Sequence, residues 1–481
     1  MTSARPDRPA PFRPRSGTIP TLPIPQADGW RSLHMVGVGG AGMSGLARLL
    51  LARGIGVSGS DLKWSRGLEV LETLGATVLV GHRAEQVGDP DAVVVSSAIP
   101  PDNVEVRAAR DRGIPVLARA QVLAALMRGR RGVAVAGTHG KTTTTSMISV
   151  ALTRAGLHPT FVIGGDLNES GSGAEHGSGD LFVAEADESD GSFLLLEPDI
   201  AVITNVEEDH LDFYAGREEI ESAFAAFAAR AGVVVAWWED PGVLRALEGA
   251  DARVIRHGGS SDLEVVTRDV VLGPGGSTAR VDVLGAEIAL QLSVPGRHNL
   301  RHAAETLAVA HVLGAPLELV ADALRSFTGV RRRFELRGRA AGATFRDDYA
   351  HHPSEIATML DVARAEPSRR VVAVVQPHRY TRTQAMWREF GESLVAADVV
   401  VVTDVYAAGE RPIPGVSGKL LVDALAEAAS GKRVIYLPRR SEIAPFLAGF
   451  VREGDLVLTL GAGDITTIAD ETLERIRDSA T

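Results

Sequence analysis

The sequence contains no cysteine in 481 residues, and this absence excludes disulfide bonds, thiolate catalysis and cysteine-ligated metals. Basic residues are fewer than acidic ones, 50 against 61, so the formal net charge is −11. A general nucleic-acid-binding role is disfavoured, since a phosphate backbone requires a basic surface. No apolar run is long enough to span a membrane, and the N-terminus lacks the apolar segment of a signal peptide. We expect a globular, cytoplasmic protein without a nucleic-acid partner or membrane insertion; the sequence gives no indication of its oligomeric state.

The segment from Val133 to Thr145 has the pattern of a phosphate-binding loop. A short apolar run predicts a buried strand, a glycine turn follows, and helical spacing of apolar residues begins at Thr142. Glycines let backbone N–H groups approach phosphates, a lysine reaches the β- and γ-phosphate oxygens, and a threonine hydroxyl reaches Mg²⁺. The first glycine of the usual spacing is absent, but an ordinary surface turn explains the segment far less well. The predicted nucleoside triphosphate site comprises Gly137, Thr138, His139, Gly140, Lys141, Thr142 and Thr143.

A second glycine turn follows an apolar strand near the N-terminus. Its glycines fit the dinucleotide-binding fingerprint, and Asp61 stands where a ribose-binding acid is expected. NAD is one interpretation of this turn. A UDP-type diphosphate is another, since the same backbone would bind it for the same physical reason. The predicted binding residues are Gly37, Gly39, Gly40, Gly42, Met43, Ser44 and Asp61.

Two apolar strands after the phosphate loop end in polar groups. Glu185 closes the first of them, and His210 follows the second. Because ligands bind at the carboxyl ends of parallel strands, we predict that Thr142, Glu185 and His210 hold Mg²⁺. For the acids that follow at 187–190, a ligand role and a solvated loop are equally supported.

Two further features lie towards the end of the central region. Asn299 directly precedes a predicted helix, where it would cap the helix or contact the edge of adenine. The basic cluster that contains Arg332 and Arg333 lies between the second and third predicted domains. A solvated linker and a catalytic arginine are equally supported, because phosphoryl transfer requires a counter-charge.

The last third of the chain repeats the pattern of strands that stop at polar clusters. One cluster begins at Asp347, and the next follows the apolar strand 371–375. The predicted ligand-binding residues of the two clusters are Tyr349, His351, His378, Arg379 and Arg382.

Length and the alternation of helices with strands predict an α/β protein of three domains in series. Residues 1–28, rich in Pro, Arg and Ser, are expected to form a disordered tail. We expect a Rossmann-like domain at 29–129, a P-loop ATPase-like domain at 130–330 and a second Rossmann-like domain at 331–481.

Taken together, the motifs resemble those of the Mur ligase family from about residue 31 to the end of the chain. The resemblance rests on Gly37–Ala47, Gly137–Thr143, Glu185–Ser189, Asp209–Asp212, Pro295–Asn299, Asp347–Pro353 and Gln376–Arg382. It implies an N-terminal UDP-sugar domain, a central ATPase domain and a C-terminal amino-acid domain. The implied reaction joins L-alanine to the carboxylate of UDP-N-acetylmuramate through an acyl phosphate, in peptidoglycan precursor synthesis, with ATP and Mg²⁺.

The resemblance also implies a role for each matching residue. Lys141 and Thr142 act on the phosphates, Glu185 and His210 hold metal, Asn299 contacts adenine, Arg332 or Arg333 the γ-phosphate and Asp347 the ribose. Ser189 belongs to the implied UDP-sugar site, and His351 to the implied catalytic and acceptor site.

Three other functions remain alternatives at this point. One is a recycling ligase that attaches a whole murein tripeptide to the same sugar, although the first glycine loop favours addition of alanine. A nucleotide-gated regulator that binds without ligating and an NAD-dependent oxidoreductase are the others.

Overall fold

The computed structural model describes residues 22–168, 171–211 and 213–479. The strands are β1 (Ser32–Val36), β2 (Gly56–Asp61), β3 (Thr77–Val80), β4 (Ala92–Val95), β5 (Val116–Ala118), β6 (Arg131–Ala136), β7 (Thr160–Val162), β8 (Ala174–Glu175), β9 (Leu181–Glu185), β10 (Ile200–Ile203), β11 (Val233–Trp237), β12 (Arg253–Gly258), β13 (Val265–Gly273), β14 (Gly276–Val283), β15 (Ala286–Leu292), β16 (Glu335–Ala340), β17 (Ala343–Asp348), β18 (Arg370–Val375), β19 (Val399–Val402), β20 (Arg433–Tyr436) and β21 (Asp455–Leu460).

The α-helices lie between these strands, as an α/β fold requires. They are α1 (Ala41–Ala52), α2 (Arg66–Thr73), α3 (Val104–Asp111), α4 (Arg119–Met127), α5 (Lys141–Arg154), α6 (Arg217–Ala228), α7 (Pro241–Ala246), α8 (Arg297–Leu313), α9 (Leu317–Arg325), α10 (Pro353–Ala365), α11 (Tyr380–Ser393), α12 (Lys419–Ala428), α13 (Ile443–Phe450) and α14 (Ile468–Ser479). No helix among the described residues is long and apolar enough to cross a bilayer.

The strands form three sheets. Their orders are β3-β2-β1-β4-β5, then β15-β14-β13-β12-β11-β10-β6-β9-β7-β8, and finally β16-β17-β21-β18-β19-β20. The first sheet is parallel throughout, and so is the stretch β13-β12-β11-β10-β6-β9-β7 of the second. The predicted α/β architecture with three sheets in series is confirmed.

The chain divides into two compact units. The first runs to Arg268 and adds Arg280–Leu290 and Arg301–Phe327, and the second contains Asp269–Ala279, Gln291–Leu300 and the chain from Thr328 onward. One continuous core joins apolar residues of the first sheet to those around β6, β9 and β10 in the first unit. The predicted boundaries at residues 130 and 331 stay predictions.

Residues 22–28 of the predicted tail lie against the first unit. Leu22 and Ile24 pack on its core, and the side-chain amide of Gln121 donates to the Pro23 carbonyl at 2.9 Å. Residues 1–21 lie outside the described part of the chain.

The second unit is organised by its six-stranded sheet. β18 and β19 consist almost entirely of valine and are buried on both faces. One apolar cluster covers one face with residues of α10, α11 and α12, and another covers the opposite face with residues of α13 and α14. A continuous apolar run is typical of a parallel strand that is covered on both sides.

Candidate functional site

The phosphate loop connects β6 to α5. Gly137 and Gly140 have φ angles of 144° and 81°, which L side chains rarely adopt. A Cβ atom on Gly137 would lie 2.0 Å from Thr204 Oγ1, and one on Gly140 would lie 2.3 Å from His302 Cε1. Both positions therefore require glycine for space as well as for backbone conformation.

Polar side chains that directly follow the neighbouring strand β10 fix the loop. Asn205 Oδ1 accepts from the His139 amide at 2.9 Å, and Asn205 Nδ2 donates to the His139 carbonyl at 3.2 Å. Thr204 Oγ1 donates to the same carbonyl at 2.5 Å. The sequence analysis did not single out Asn205, because an asparagine after a strand has no distinguishing pattern.

Lys141 opens α5 and is held by two backbone carbonyls and by the carboxylate of Glu188. Its Nζ donates to the carbonyls of Gly137 and Thr138 at 2.6 and 3.2 Å, and to Glu188 Oε1 at 2.8 Å. Burial lowers the pKa of Lys141, but nearby carboxylates, Glu188 foremost, outweigh burial and raise it. The lysine is thus a fixed cation beside the glycine turn.

Glu188 also holds His210. The carboxylate is 2% exposed, and its Oε1 lies 3.4 Å from His210 Nε2. Burial lowers the pKa of His210, while the hydrogen bond to Glu188 and the charge of Asp209 raise it above its usual value overall. The structure therefore selects Glu188 from the acidic loop as the shared partner of Lys141 and His210.

The predicted metal ligands Thr142 and Glu185 lie together. Thr142 Oγ1 donates to Glu185 Oε1 at 3.2 Å, and the Gly164 amide donates to the other carboxylate oxygen at 2.7 Å. A hydroxyl and a carboxylate beside a phosphate loop are oxygen ligands of the kind Mg²⁺ prefers, so these residues fit the ion. His210 contacts Glu188 rather than this pair.

The first glycine turn opens onto a cavity of about 530 Å³ within the first unit. The lining residues include Gly37, Gly40, Gly42, Met43 and Asp61 around the turn, and also Glu185 at the end of β9 and Asp187 after it. Asp61 Oδ2 accepts from the Gly39 amide at 2.9 Å, so this acid also holds the turn itself. The Ser44 amide donates to the Gly40 carbonyl inside α1.

Arg119 is a residue of this cavity that the sequence analysis missed. Its guanidinium donates to Asp187 Oδ2 at 3.2 Å, although the two residues are 68 positions apart in the chain. Burial raises the pKa of Asp187, but Arg119 and Lys141 lower it to about 2 overall. The amide of Ser189 also donates to Asp187, at 3.1 Å, which places the predicted Ser189 on the same loop.

In the second unit, Arg332 and Asp347 contact each other and form hydrogen bonds with neighbouring residues of that unit. Arg332 donates to the Gly461 carbonyl at 2.7 Å and lies 3.4 Å from Asp347 Oδ2. Asp347 is fully buried and accepts from the hydroxyls of Thr459 and Thr466, both at 2.6 Å. The ribose contact of Asp347 stays a prediction.

Arg333 is held less tightly than Arg332. Its NH1 lies 3.9 Å from Glu355 Oε1, and its guanidinium lies over the Tyr349 ring at 5.3 Å. Between the two arginines predicted for the γ-phosphate, these contacts favour Arg333.

The two predicted clusters of the second unit meet in a row of rings. Tyr349 contacts His351 at 5.2 Å between ring centroids, His351 contacts His378 at 5.5 Å, and His378 stacks on Tyr406 at 5.6 Å. The backbone amide of Arg379 donates to the Tyr406 carbonyl at 2.9 Å.

Arg382 and Asn299 complete the predicted residues of this unit. Arg382 is nearly buried and reaches the His378 carbonyl at 3.5 Å from the first turn of α11. Asn299 lies inside the first turn of α8, not before it, and its amide donates to the Pro295 carbonyl at 2.7 Å. Its contact with adenine stays a prediction.

Asp348 carries the largest electrostatic perturbation near these clusters. It is 2% exposed and accepts from the amides of Phe334 and Ala350, both at 2.7 Å. Burial raises the pKa of Asp348 to about 7, although Arg333 and the two amides favour the ionised form.

This raised pKa predicts a pH-dependent stability. The unfolded chain ionises at Asp348 near pH 4 but the folded chain only near pH 7, so stability is lost as pH rises through that window. A difference of about three pKa units corresponds to a few kcal/mol. Urea unfolding midpoints should therefore fall less between pH 5 and 8 in Asp348→Asn than in the parent. The exposed Asp423→Asn is the control, and equal slopes in all three proteins would contradict the assignment.

This chain matches known proteins along most of its length. The sequence signatures of the Mur ligase family catalytic domain, the Mur ligase middle domain and the Mur ligase glutamate ligase domain match residues 32–131, 135–310 and 332–463. The chain belongs to the Mur ligase family. A relative of this Mur ligase from Pelotomaculum thermopropionicum is 47% identical over 93% of this chain and 98% of its own. Another, from Saccharopolyspora erythraea, is 49% identical over 92% and 93%.

Both relatives are named UDP-N-acetylmuramate–L-alanine ligase. The crystal structure of a UDP-N-acetylmuramate–alanine ligase from Thermotoga maritima is similar to this Mur ligase, with a TM-score of 0.80 and 31% identity over 93% of this chain and 99% of that one.

Proposed function

We propose that this Mur ligase joins L-alanine to the lactyl carboxylate of UDP-N-acetylmuramate, while ATP is converted to ADP and phosphate. The observation that carries the proposal is the 530 Å³ cavity, because one space is lined by both the first glycine turn and Glu185. A sugar whose diphosphate lies at that turn can extend its carboxylate towards the phosphate loop. The names of the relatives support the same substrates.

Two steps make up the proposed reaction. A carboxylate oxygen attacks the γ-phosphorus of ATP, the bond from that phosphorus to ADP breaks, and an acyl phosphate forms. The neutral amine of L-alanine then attacks the acyl carbon to form the C–N bond, and the C–O bond to phosphate breaks, so that phosphate leaves with the electron pair of that bond. The amine loses a proton in this step, and His351 or His378 would accept it.

The charges of the first step match residues of the phosphate loop. Lys141 would neutralise charge on the β- and γ-phosphates, and Arg333 would supply a second cation. Thr142 and Glu185 would hold Mg²⁺, which supplies charge neutralisation for the transferring phosphoryl group, with His210 acting beside them through Glu188. Asn299 and Asp347 are proposed for the adenosine, as the family resemblance implies.

An acceptor scan tests this proposal. ADP release and product mass should show L-alanine used ahead of glycine by roughly 10–200-fold, because one methyl in an apolar pocket is worth about 1–3 kcal/mol. L-serine should be used weakly. A tripeptide that contains L-Ala-D-Glu should be excluded; its preferential ligation would instead establish the recycling function.

The same assay tests the proposed carboxylate ligands Arg379 and Arg382. Because arginine binds a carboxylate through paired N–H donors, Arg379→Ala and Arg382→Ala should each raise KM for L-alanine by at least about tenfold. Arg388→Ala, an exposed arginine of the same helix, is the matched control. An unchanged KM in both variants would remove the two arginines from the acceptor site.

A further inference from the structure

The guanidinium of Arg119 lies close to both Asp187 and Gly42 in the first unit. One guanidinium nitrogen, NH2, donates to Asp187 Oδ2 at 3.2 Å. The other, NH1, lies 3.0 Å from the position that a Cβ on Gly42 would occupy. Gly42 belongs to the first turn of α1, so the guanidinium spans from the N-terminus of that helix to the loop after β9.

The charge of the cavity makes this placement significant. Among the described residues that line it, three are acids, Asp61, Glu185 and Asp187, and Arg119 is the only lysine or arginine. A nucleotide diphosphate carries two negative charges and would be repelled by those carboxylates. Backbone amides at the start of a helix favour an anion, but a nearby cation is needed to offset the acids.

We propose that Arg119 binds the diphosphate of the UDP-sugar through NH1 while NH2 retains Asp187. The proposal deepens the proposed function, on which it rests for the identity of the sugar nucleotide. Asp187 immediately precedes Glu188, the carboxylate that holds Lys141 at 2.8 Å. Arg119 thus links the sugar-nucleotide site to the phosphate loop through two adjacent residues, and occupancy of the first site orients the second.

The test measures binding of UDP, uridine, UDP-N-acetylglucosamine and UDP-N-acetylmuramate by calorimetry. A charge-assisted hydrogen-bonded contact predicts that Arg119→Met weakens the three diphosphates by about 10- to 100-fold and leaves uridine within about twofold. Arg119→Lys should weaken diphosphate binding less than Arg119→Met does, because lysine keeps the positive charge but lacks the paired N–H donors of the guanidinium. Arg110→Met, an arginine that lines only the neighbouring 370 Å³ cavity, should bind all four ligands as the parent does.

A second readout separates binding from support of the fold. ADP affinity should be unchanged in Arg119→Met, whereas kcat at saturating UDP-N-acetylmuramate should fall. Asp187→Asn should bind UDP as the parent does. Its kcat should fall as in Arg119→Met, because the ion pair that connects Arg119 to the residue next to Glu188 is weakened.

Three other binding results would overturn the proposal. Equal weakening of ADP and UDP would show a purely structural role, and unchanged UDP affinity would show that the ion pair serves the loop alone. Weakening confined to UDP-N-acetylmuramate would place Arg119 on the lactyl carboxylate instead of the diphosphate. If the parent bound UDP through Arg119 but formed no alanine adduct, the proposed function would fail while this inference stood.

Discussion

Replacement of Lys141 by alanine is expected to reduce ADP formation on the order of 10²–10³-fold, the range for loss of one preorganised charge-stabilising group. The lysine is held beside the glycine turn by two backbone carbonyls and by Glu188, so its ammonium is in place before nucleotide arrives. No other described side chain at this turn carries a fixed positive charge so close to the start of α5. The measurement is single-turnover ADP release with saturating substrates.

Binding of the sugar nucleotide should survive the same substitution. Lys141 does not line the cavity at the first glycine turn, so Lys141→Ala should bind UDP-N-acetylmuramate within a few-fold of the parent. The control is Lys419→Ala, which removes an exposed lysine whose partner is Asp423. Near-parental turnover in Lys141→Ala would mean that the phosphate loop has been assigned wrongly.

The change Glu188→Gln is expected to have a comparable effect on kcat. Loss of one partner from a buried ion pair leaves the other charge uncompensated, which typically lowers the free energy of unfolding by about 3–5 kcal/mol. Here the uncompensated groups are Lys141 and His210, at 2.8 and 3.4 Å from the carboxylate. Because Lys141 loses a side-chain partner that fixes its ammonium, we expect kcat to fall by about 10²-fold, measured by steady-state ADP release.

The titration of His210 gives an independent check on Glu188. The pKa of His210 is raised in the folded protein. The stability that His210 contributes is therefore complete below its pKa in the unfolded chain, and it is lost as pH rises through its pKa in the folded protein. In Glu188→Gln the folded pKa should fall, and imidazole NMR signals, assigned with His210→Asn, should titrate at lower pH. Glu197→Gln, an exposed glutamate of the same unit, should change neither kcat nor the titration. An unshifted His210 would exclude the contact.

Local patterns predicted the elements that position the site. The buried strand before the phosphate loop and the helix after it are present as β6 and α5. Apolar periodicity succeeds there because burial on a sheet or a helix face depends on neighbours in the chain. The proximity of Thr142 to Glu185 followed from the same reasoning, since the phosphate loop that leads to Thr142 and Glu185 itself lie at the carboxyl ends of the adjacent strands β6 and β9.

The remaining site residues depend on contacts between distant segments. Nothing in the acidic loop distinguishes Glu188 from its neighbours until Lys141 and His210 are seen on either side of it. Arg119 lies at the start of a helix in the first sheet's domain, and its partner Asp187 follows a strand of the second sheet. Sequence spacing carries no information about a contact of that kind, because each residue is locally an ordinary surface charge.

The close approach of His302 to Gly140 has a consequence for how this loop tolerates mutation. His302 is itself wedged between Thr144 and Glu305, at 2.9 and 3.1 Å, so it has no room to retreat. Any residue larger than glycine at 140 must therefore be accompanied by a smaller residue at 302. The two positions are coupled in packing, but a smaller residue at 302 would relieve only the steric part of the cost at 140 and not the strain of a φ of 81°. A library that varies both codons together should therefore still return glycine at 140 while residue 302 changes.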